Sequence, residues 1–298
     1  MTKRIVVTGA GGFVGQALLR ALGPDHDVLA IDHRLNGHAG LEGDLGDPAL
    51  LAAAFSKRCE AVVHLATVPG GAAEADPARA KQVNVDAAMA LIDAAAQAGR
   101  CPRFVFASSI AVFGDPLPPL VDDATPIAPT MVYGAHKAMM EQWIATQTRR
   151  GAISGVSLRL PGIVARPLGP SGMKSAFISN LFHALHARTP IVLPVSPGAT
   201  LWLMSVTRCA ANIVHALGIE ATGSVTLPAL RSAMGDLVSA IARATGCGPG
   251  LVDYAPDAAI EAVFGRQPPL STPRADALGF TDDDAIDSLV ASALSTLA

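Results

Sequence analysis

The chain has 298 residues, half of them hydrophobic and 16% charged, which is ample apolar material for one large α/β domain or two smaller ones. A net charge of −3 with no basic run longer than two residues argues against a nucleic-acid or anionic-membrane surface, and no stretch approaches the roughly 18–20 apolar residues that span a bilayer. The four cysteines have neither C-x-x-C nor metal-ligand spacing, so we expect a cytoplasmic protein with free thiols, no metal, and no membrane or nucleic-acid partner.

Short apolar runs alternate with longer Ala- and Leu-rich segments through the first half of the chain. The predicted strands are 5–7, 28–31, 61–65, 103–107 and 154–160. The predicted helices are 12–22, 48–55, 77–98 and 131–150, and Asp76 and Gly99 are the expected caps of the third. Runs with little polar alternation are typical of strands buried on both faces, and strand–helix alternation predicts βαβ units. We therefore predict an α/β fold with a Rossmann-type doubly wound parallel sheet.

A glycine-rich turn, 8–15, joins the first predicted strand to the first predicted helix. Glycines there let the backbone approach a pyrophosphate, which then meets free N–H groups at the helix N-terminus. Asp32 ends the next strand, where a carboxylate accepts hydrogen bonds from the adenosine ribose and repels a 2′-phosphate. This pattern predicts NAD rather than NADP, although Arg34 could pair with that phosphate. Asp44 and Leu45 are placed to meet the adenine ring, and Asp44 is equally suited to cap the next helix.

Tyr133 and Lys137 lie four residues apart on one predicted helix, so their side chains project from the same face. An isolated phenol has a pKa near ~10, too high for a base at neutral pH. A neighbouring ammonium and a positive nicotinamide ring both stabilise the phenolate and lower that pKa. Ser109 follows the strand 103–107, at the edge where open parallel sheets bind ligands. We therefore predict a catalytic set of Ser109, Tyr133 and Lys137, with Tyr133 as the acid/base and Ser109 sharing the hydrogen bonding of the substrate oxygen.

The ordered motifs of the first 165 residues also support a family resemblance. The matching residues are Gly9, Gly12, Gly15, Asp32, Asp44, Leu45, His64, Leu65, Ala66, Asn84, Ser108, Ser109, Tyr133, Lys137, Arg159, Pro161 and Gly162. In these residues the chain resembles the extended short-chain dehydrogenase/reductases, which include nucleotide-sugar epimerases. The resemblance implies that Leu65 and Ala66 line the cofactor and that Pro161 borders the nicotinamide. It also implies that Asn84 supports the catalytic lysine.

Three further consequences of the resemblance concern neighbouring residues and assembly. Phe13 and Val14 belong to the cofactor loop between the matching glycines. His64 is expected to be a packed strand residue rather than a catalyst. The family also implies a homodimer that is formed through two long helices, here 77–98 and 131–150.

Segments of the second half are similar to a group within this family, the D-erythronate dehydrogenases. The similar segments are 111–114, 160–167 and 201–205. Members of that group oxidise the C2 hydroxyl of a four-carbon sugar acid with NAD. Phe113 stands where nucleotide-sugar epimerases commonly have Tyr, and Thr200 and Leu201 stand where many have an Arg-Asp pair. Both differences argue against a nucleotide-sugar substrate.

A small sugar acid needs a cationic anchor for its carboxylate. Arg166 and Ser171 are the predicted substrate-binding residues of the second half, together with Ser109 and Tyr133, and Lys174 lies nearby in sequence. Arg166 is best suited to bidentate carboxylate binding, while a structural cation beside prolines is the open alternative. Trp202 either lines the pocket or fills the core.

Prolines punctuate the chain after residue 165, and strand-like runs become sparse. We predict an NAD-binding Rossmann domain at 1–165 and a smaller C-terminal substrate-binding region at 166–298, with a strand near 222–227 returning to the main sheet. The expected function is NAD-dependent oxidation of the C2 hydroxyl of a small sugar acid to the 2-oxo acid. The first alternative is a nucleotide-sugar 4-epimerase or dehydratase with tightly bound NAD. The second is a non-catalytic NAD-binding regulatory protein.

Overall fold

The computed structural model describes residues 3–169 and 174–297 and contains a seven-stranded parallel sheet. The strands are β1 (Arg4–Thr8), β2 (Asp27–Asp32), β3 (Gly40–Glu42), β4 (Ala61–His64), β5 (Arg103–Ser109), β6 (Ser154–Leu160), β7 (Gly162–Ile163), β8 (Ile191–Leu193), β9 (Thr200–Met204), β10 (Gly223–Thr226), β11 (Leu230–Ala233) and β12 (Val252–Tyr254). The α-helices are α1 (Phe13–Leu22), α2 (Pro48–Ala54), α3 (Gly70–Ala75), α4 (Pro77–Lys81), α5 (Ala88–Ala98), α6 (Val132–Arg149), α7 (Ala176–His186), α8 (Val206–Gly218), α9 (Met234–Thr245), α10 (Ala258–Phe264), α11 (Pro273–Ala277) and α12 (Ile286–Leu294).

The order of the strands in the main sheet is β10-β6-β5-β4-β1-β2-β3, and every pair in it is parallel. The chain therefore builds outward from β1 in one direction through β2 and β3, and in the other from β4 to β6. A crevice forms where the direction of winding reverses, outside the carboxyl ends of β1 and β4. The predicted Rossmann-type doubly wound fold is confirmed.

Both faces of the sheet are covered by helices, which explains why the middle of β1 and most of β4 are continuous apolar runs. Ile5 and Val7 belong to the core beneath α1 and α8. Val6, between them, belongs to the opposite core with α2, α5 and α6. Because successive strand residues point to opposite faces, a strand buried twice shows no polar alternation.

The predicted helix 77–98 is interrupted by one wider turn. Asp76 caps its start by accepting a hydrogen bond from the Arg79 backbone N–H (3.0 Å), and its end lies at Gly99, as predicted. Between α4 and α5, residues Gln82–Ala87 form a π-helical segment. Such segments are rare and frequently lie at functional sites. The sequence analysis missed this feature, and it also missed the short elements β3 and α3, which have too few residues to show a period.

The second half of the chain forms a smaller layer with its own core. β9 lies between β7 and β11 in a three-stranded sheet, and β8 pairs with β12. Leu181, Leu201 and Ile241 are fully or almost fully buried in this core. Two later elements return to the main sheet: α8 packs against α1, and β10 pairs with β6. The division of the chain at residue 165 stays a prediction.

Within residues 3–169 and 174–297, no helix combines the length and the apolar character needed to cross a bilayer.

Candidate active site

A cleft of about 660 Å³ lies along the carboxyl ends of β1, β2, β4, β5 and β6, within the size range of small-molecule and cofactor sites. The predicted site residues that line it are Gly9, Gly12, Phe13, Val14, Gly15, Asp32, Asp44, Leu45, Leu65, Ala66, Ser109, Tyr133, Lys137, Pro161 and Arg166. We call the part around the glycine loop, Asp32 and Asp44 the Asp32 end. The part around Ser109, Tyr133, Lys137 and Arg166 is the Tyr133 end.

Glycines of the loop 8–15 lie so close to neighbouring backbone that a side chain at their positions would collide with it. Gly9 has φ +71°, and a Cβ there would lie 2.6 Å from the backbone nitrogen of Ala66. A Cβ on Gly15 would collide with the carbonyl oxygen of Gly9. Helix α1 begins directly after Gly12, which offers no side-chain cap, so the N–H groups of its first turn are available to an anion in the cleft.

Asp32 is anchored against this loop at the end of β2. Its Oδ2 accepts a hydrogen bond from the Gly11 backbone N–H (2.9 Å), and its Oδ1 accepts one from the Arg34 backbone N–H (3.4 Å). Both Asp32 and Arg34 line the cleft. The carboxylate is therefore held beside the glycine loop, at the position expected from the sequence.

Asp44 belongs to the cleft and not to a helix cap. Its carboxylate accepts hydrogen bonds from the Gly46 backbone N–H (2.8 Å) and from Arg79 Nη2 (2.9 Å). These contacts, that from Gly46 first, lower the pKa of Asp44. Asp47 caps α2, accepting from the Ala49 backbone N–H (2.9 Å), because it directly precedes the first helical residue. The helix-cap alternative for Asp44 is therefore wrong.

Asn84 holds the loop that follows β4. Its Oδ1 accepts hydrogen bonds from the Val68 backbone N–H (2.7 Å) and Thr67 Oγ1 (3.0 Å), and its Nδ2 donates to the Val68 carbonyl (3.0 Å). The π-helical segment that contains Asn84 turns this buried side chain toward the loop. Through these bonds Asn84 fixes the loop of Thr67 and Val68, both of which line the cleft, and its expected support of Lys137 stays a prediction.

Ser109 and Tyr133 meet where two elements approach closely. Ser109 ends β5, and its Oγ accepts a hydrogen bond from the Ala111 backbone N–H (3.1 Å), which caps the short 3₁₀ turn that follows. A Cβ on Gly134 would collide with the Ala111 carbonyl oxygen, so a glycine after Tyr133 lets α6 approach this turn. Tyr133 as a residue is only partly buried, but its hydroxyl lies inside the protein and forms a hydrogen bond with Ser109.

Burial raises the pKa of Tyr133, while the cation of Arg166 and the hydrogen bond with Ser109 lower it. From the sequence, Lys137 and the nicotinamide ring were expected to lower the pKa of the phenol. In the structure the cation that lowers the phenol pKa is Arg166, which reaches the same end of the cleft from the segment after β7.

Lys137 is 2% exposed, and its Nζ donates a hydrogen bond to the Ala107 carbonyl of β5 (2.7 Å). The ammonium lies 4.6 Å from the centre of the Phe106 ring and 5.4 Å from that of Tyr133. Burial lowers the pKa of Lys137 to about 7, and the nearby carboxylate of Glu141 opposes that shift. Its protonation state therefore changes near neutral pH.

Arg166 is placed by an unusual backbone conformation. Ala165, the preceding residue, has φ +58°, a conformation that L-residues other than Asn and Asp rarely adopt. The Arg166 Nε donates to the Ile163 carbonyl (3.2 Å), and its backbone N–H donates to Ser179 Oγ (3.1 Å). Ser171 lies outside the described residues. Lys174 is exposed and is not among the residues that line the cleft.

Two other sequence alternatives are decided by packing. His64 is 1% exposed in β4, stacks on Phe106, and shares a hydrogen bond with Thr8 Oγ1 (2.6 Å). It is a packed strand residue, as expected. Trp202 is 1% exposed, donates from Nε1 to the Pro268 carbonyl (2.7 Å), and packs with Phe113, so it fills the core.

Sequence reasoning missed residues whose role depends on distant partners. Glu74 of α3 accepts a hydrogen bond from the Val132 backbone N–H (2.6 Å) and so caps α6, 58 residues later. Arg79 pairs with Asp44 across 35 residues and lines the cleft. Neither Glu74 nor Arg79 lies in a local motif that could have indicated its contact.

The residues present fit NAD. The glycine loop lines the cleft with its backbone packed tightly against the segments at 32–34 and 65–66, an uncapped helix N-terminus follows, and Asp32 lies at the end of the next strand. These are the donors and acceptors that pyrophosphate and ribose hydroxyls require. In the described part of the chain, no group of three or more His, Cys, Asp or Glu residues is arranged to hold a metal ion.

Comparison with known proteins gives the same picture. The profile of the NAD dependent epimerase/dehydratase family matches residues 5–201. The D-erythronate dehydrogenase of Cupriavidus necator is 35% identical, with 96% of each chain covered, and that of Haemophilus influenzae is 32% identical, with 72% of each covered. Among solved structures, a nucleoside-diphosphate-sugar epimerase from Agrobacterium tumefaciens superposes with a TM-score of 0.87 at 28% identity, covering 97% of this chain and 92% of the other. The chain therefore belongs to the NAD dependent epimerase/dehydratase family, as an NAD-dependent dehydrogenase that acts on a CH–OH group.

Proposed function

We propose that the chain oxidises the C2 hydroxyl of a small sugar acid, of the D-erythronate type, to the 2-oxo acid. The observation that carries the proposal is a cation, Arg166, at the same end of the cleft as Tyr133, Ser109 and Lys137. A hydroxy acid offers a carboxylate and a neighbouring hydroxyl, and the Tyr133 end offers a guanidinium and a phenol. The named relatives in Cupriavidus and Haemophilus support the same substrate class.

In the proposed mechanism Arg166 binds the substrate carboxylate and so fixes the position of C2. Bidentate guanidinium–carboxylate pairing sets both distance and orientation. Ser109 donates a hydrogen bond to the C2 oxygen, and Tyr133, as the phenolate, removes the hydroxyl proton. NAD, when bound, supplies the acceptor for the C2 hydride. Positioning and preorganised hydrogen bonds account for most of the acceleration.

The phenol of Tyr133 must lose its proton before it can act as a base. Arg166 and Ser109 lower its pKa against the effect of burial. A substrate carboxylate on Arg166 cancels part of the first contribution, because the cation is then paired. The single O–H of Ser109 then donates to the C2 oxygen, so its contribution to the phenolate is lost as well. In the complex, the ammonium of Lys137, 5.4 Å from the Tyr133 ring, becomes the principal protein cation that favours the phenolate.

The proposed cofactor contacts follow the two ends of the cleft. Gly9, Gly12, Phe13, Val14 and Gly15 hold the pyrophosphate, Asp32 holds the adenosine ribose, and Asp44 and Leu45 border the adenine. Leu65, Ala66, Tyr133, Lys137 and Pro161 border the nicotinamide half, and Asn84 fixes the loop of Thr67 and Val68 from behind.

The test is net NADH formation, measured by absorbance, over a panel of C3–C6 sugar acids that includes D-erythronate and L-threonate, each with NAD and with NADP. We expect turnover with a four-carbon acid and NAD. A nucleotide-sugar epimerase is the second candidate, which the solved Agrobacterium structure favours. It would isomerise a nucleotide sugar without net NADH formation. Turnover of a UDP-sugar with no oxidation of any acid would replace the proposal with that candidate.

We also propose that the chain forms a homodimer through α5 and α6. Met139 on α6 is a large apolar side chain that is 53% exposed, which is the kind of surface that a second copy would cover. Light scattering on a sizing column should give twice the mass of one chain, and Met139→Lys should shift the assembly toward the monomer. A wild-type monomer at micromolar concentration contradicts the proposal.

A further inference from the structure

A buried ion pair lies directly behind the Tyr133 end of the cleft. Glu141 of α6 has no exposed side-chain surface, and its Oε2 pairs with Arg159 Nη2 of β6 (2.8 Å). Arg159 Nε also donates to Oε1 (3.0 Å), Ser108 Oγ donates to Oε1 (2.5 Å), and Ser224 Oγ of β10 donates to Oε2 (2.9 Å). Four donors from three adjacent strands therefore converge on one carboxylate.

Stability alone is a weak explanation for such a pair. Removing two charges from water costs more than most ion pairs regain, so well-packed apolar residues often stabilise a fold equally well. The contacts of this pair point instead toward the catalytic residues.

The ion pair holds the chain on both sides of Ser109. Ser108, the preceding residue, donates its hydroxyl hydrogen bond to Glu141. The Arg159 guanidinium lies 5.1 Å from the ring centre of Phe113, at the end of the 3₁₀ turn that Ser109 begins. The position of the Ser109 hydroxyl is thus fixed from behind by Glu141 and Arg159, neither of which is among the residues that line the cleft.

The same carboxylate is linked to Lys137. Glu141 follows Lys137 by four residues and Tyr133 by eight on one helix, so all three lie along one face. The groups around the Lys137 ammonium are His64 of β4, the Ala107 carbonyl and Phe106 of β5, and Tyr133, His136 and Glu141 of α6, with Arg159 of β6 behind Glu141. Glu141 is the anion that raises the pKa of Lys137 against burial.

We propose that Glu141 and Arg159 are positioning residues that hold the Ser109 hydroxyl and the Lys137 ammonium in the arrangement needed for hydride transfer. The kinetic part of this inference rests on the proposed dehydrogenase function. The effect on Lys137 does not, because it can be measured without a substrate.

The test compares Glu141→Gln with the apolar pair Glu141→Met/Arg159→Met. In Glu141→Gln, kcat with D-erythronate should fall roughly 10- to 100-fold, because small displacements of reacting groups slow a reaction by such factors. The Kd of NAD should change by less than about two-fold. The double variant leaves no unpaired charge, so it should regain a melting temperature close to wild type while kcat stays low. A double variant with wild-type kcat would show that the pair is only a structural element and would overturn the proposal.

The second readout is NMR titration of the full chain labelled with [¹³Cε]lysine. The chain has five lysines, and Lys137→Met identifies the resonance of interest. The pKa of Lys137 should be lower in both the Glu141→Gln and the double variant than in wild type, because each loses the anion. An unchanged titration overturns the link to Lys137. If wild type oxidises no acid, the proposed dehydrogenase function is wrong. The NMR titration then still tests the link between Glu141 and Lys137.

Arg103→Met is the matched control. Arg103 is a largely buried cation at the other end of β5, where it donates to the carbonyls of Ala216 (2.9 Å) and Ser154 (3.2 Å). Its loss should lower the melting temperature yet leave kcat and the Lys137 titration as in wild type. If Arg103→Met lowers kcat as much as Glu141→Gln does, loss of stability alone explains both effects and the proposal fails.

Discussion

The two ends of the cleft offer a ligand different kinds of chemical groups. At the Asp32 end the cleft offers backbone groups and partly exposed carboxylates, and the glycines matter because they let the loop pack closely against neighbouring backbone. At the Tyr133 end, buried ionisable side chains face one another, and burial shifts the pKa of both Tyr133 and Lys137. A substitution at the first end should therefore change cofactor affinity, whereas one at the second should change substrate binding or the chemical step.

The largest effect is expected for Tyr133→Phe. This variant removes the only atom proposed to exchange the substrate proton, and general acid–base catalysis contributes roughly 10²–10⁴-fold. We expect kcat for the hydroxy acid to fall by that factor, measured by NADH absorbance. The Kd of NAD, measured by fluorescence titration, should stay within about two-fold of wild type if the ends act separately. A variant that keeps more than about a tenth of wild-type turnover contradicts the acid/base role.

The second-largest effect is expected for Arg166→Met. A hydrogen bond to a charged group contributes about 1.5–3 kcal/mol, so kcat/KM for the acid should fall roughly 10- to 150-fold, mainly through KM. Arg166→Lys is the matched control, since it keeps the charge but loses the planar guanidinium. Its kcat/KM should lie between those of wild type and Arg166→Met. Steady-state kinetics measure both. Equal KM values in all three proteins would assign the carboxylate to another donor.

Asp32→Asn tests the other end of the cleft. The variant weakens hydrogen bonds to the adenosine ribose and removes the charge that repels a 2′-phosphate, so KM for NAD should rise about ten-fold while NADP gains relative to it. Turnover at saturating NAD should be unchanged. A large fall in kcat would mean that the two ends are coupled.

The smallest effect concerns pH and stability. The pKa of Lys137 is about 7 in the folded chain, below the 10.5 of a free lysine, so between these values the unfolded chain binds more protons. The free energy of unfolding should therefore rise with pH, by about 1 kcal/mol from pH 7 to pH 8, relative to Lys137→Met. Asp44 at the Asp32 end has a lowered pKa, so its contribution to the free energy of unfolding is present at neutral pH. That contribution is lost as the pH falls into the acid region. Urea unfolding at several pH values measures both, and a flat difference between wild type and Lys137→Met would contradict the burial of this ammonium.

The extent to which the sequence predicted the site depends on how near in sequence the contributing residues lie, and not on the end of the cleft to which they belong. Gly9, Gly15 and Asp32 could be placed from the sequence because their functions depend on a strand, a turn and a helix that adjoin one another. Tyr133 and Lys137 could be paired because helix geometry sets their relation. Asp44 could not be decided, since either role was compatible with its neighbours until Asp47 was seen to cap α2 and Arg79 was found beside it.

The contacts that control charge at the Tyr133 end were invisible in the sequence. Lys137 was expected to lower the phenol pKa because it is four residues away, and Arg166, 33 residues away, is a further cation that lowers it. Asn84 was expected to support Lys137, which stays a prediction, and the structure adds that it fixes the Thr67–Val68 loop from a π-helical segment. Neither outcome follows from spacing along the chain.

By itself, the sequence determined the parallel sheet and the binding of NAD, and it predicted the cofactor loop and the Tyr133–Lys137 pair, because each depends on local periodicity or on neighbours within a few residues. Only the tertiary structure decided which charges face one another across the cleft, where the Glu141–Arg159 pair lies, and that Trp202 fills the core. The physical reason is that electrostatic interactions and burial depend on distance in space, and strands brought together by the fold come from any part of the chain.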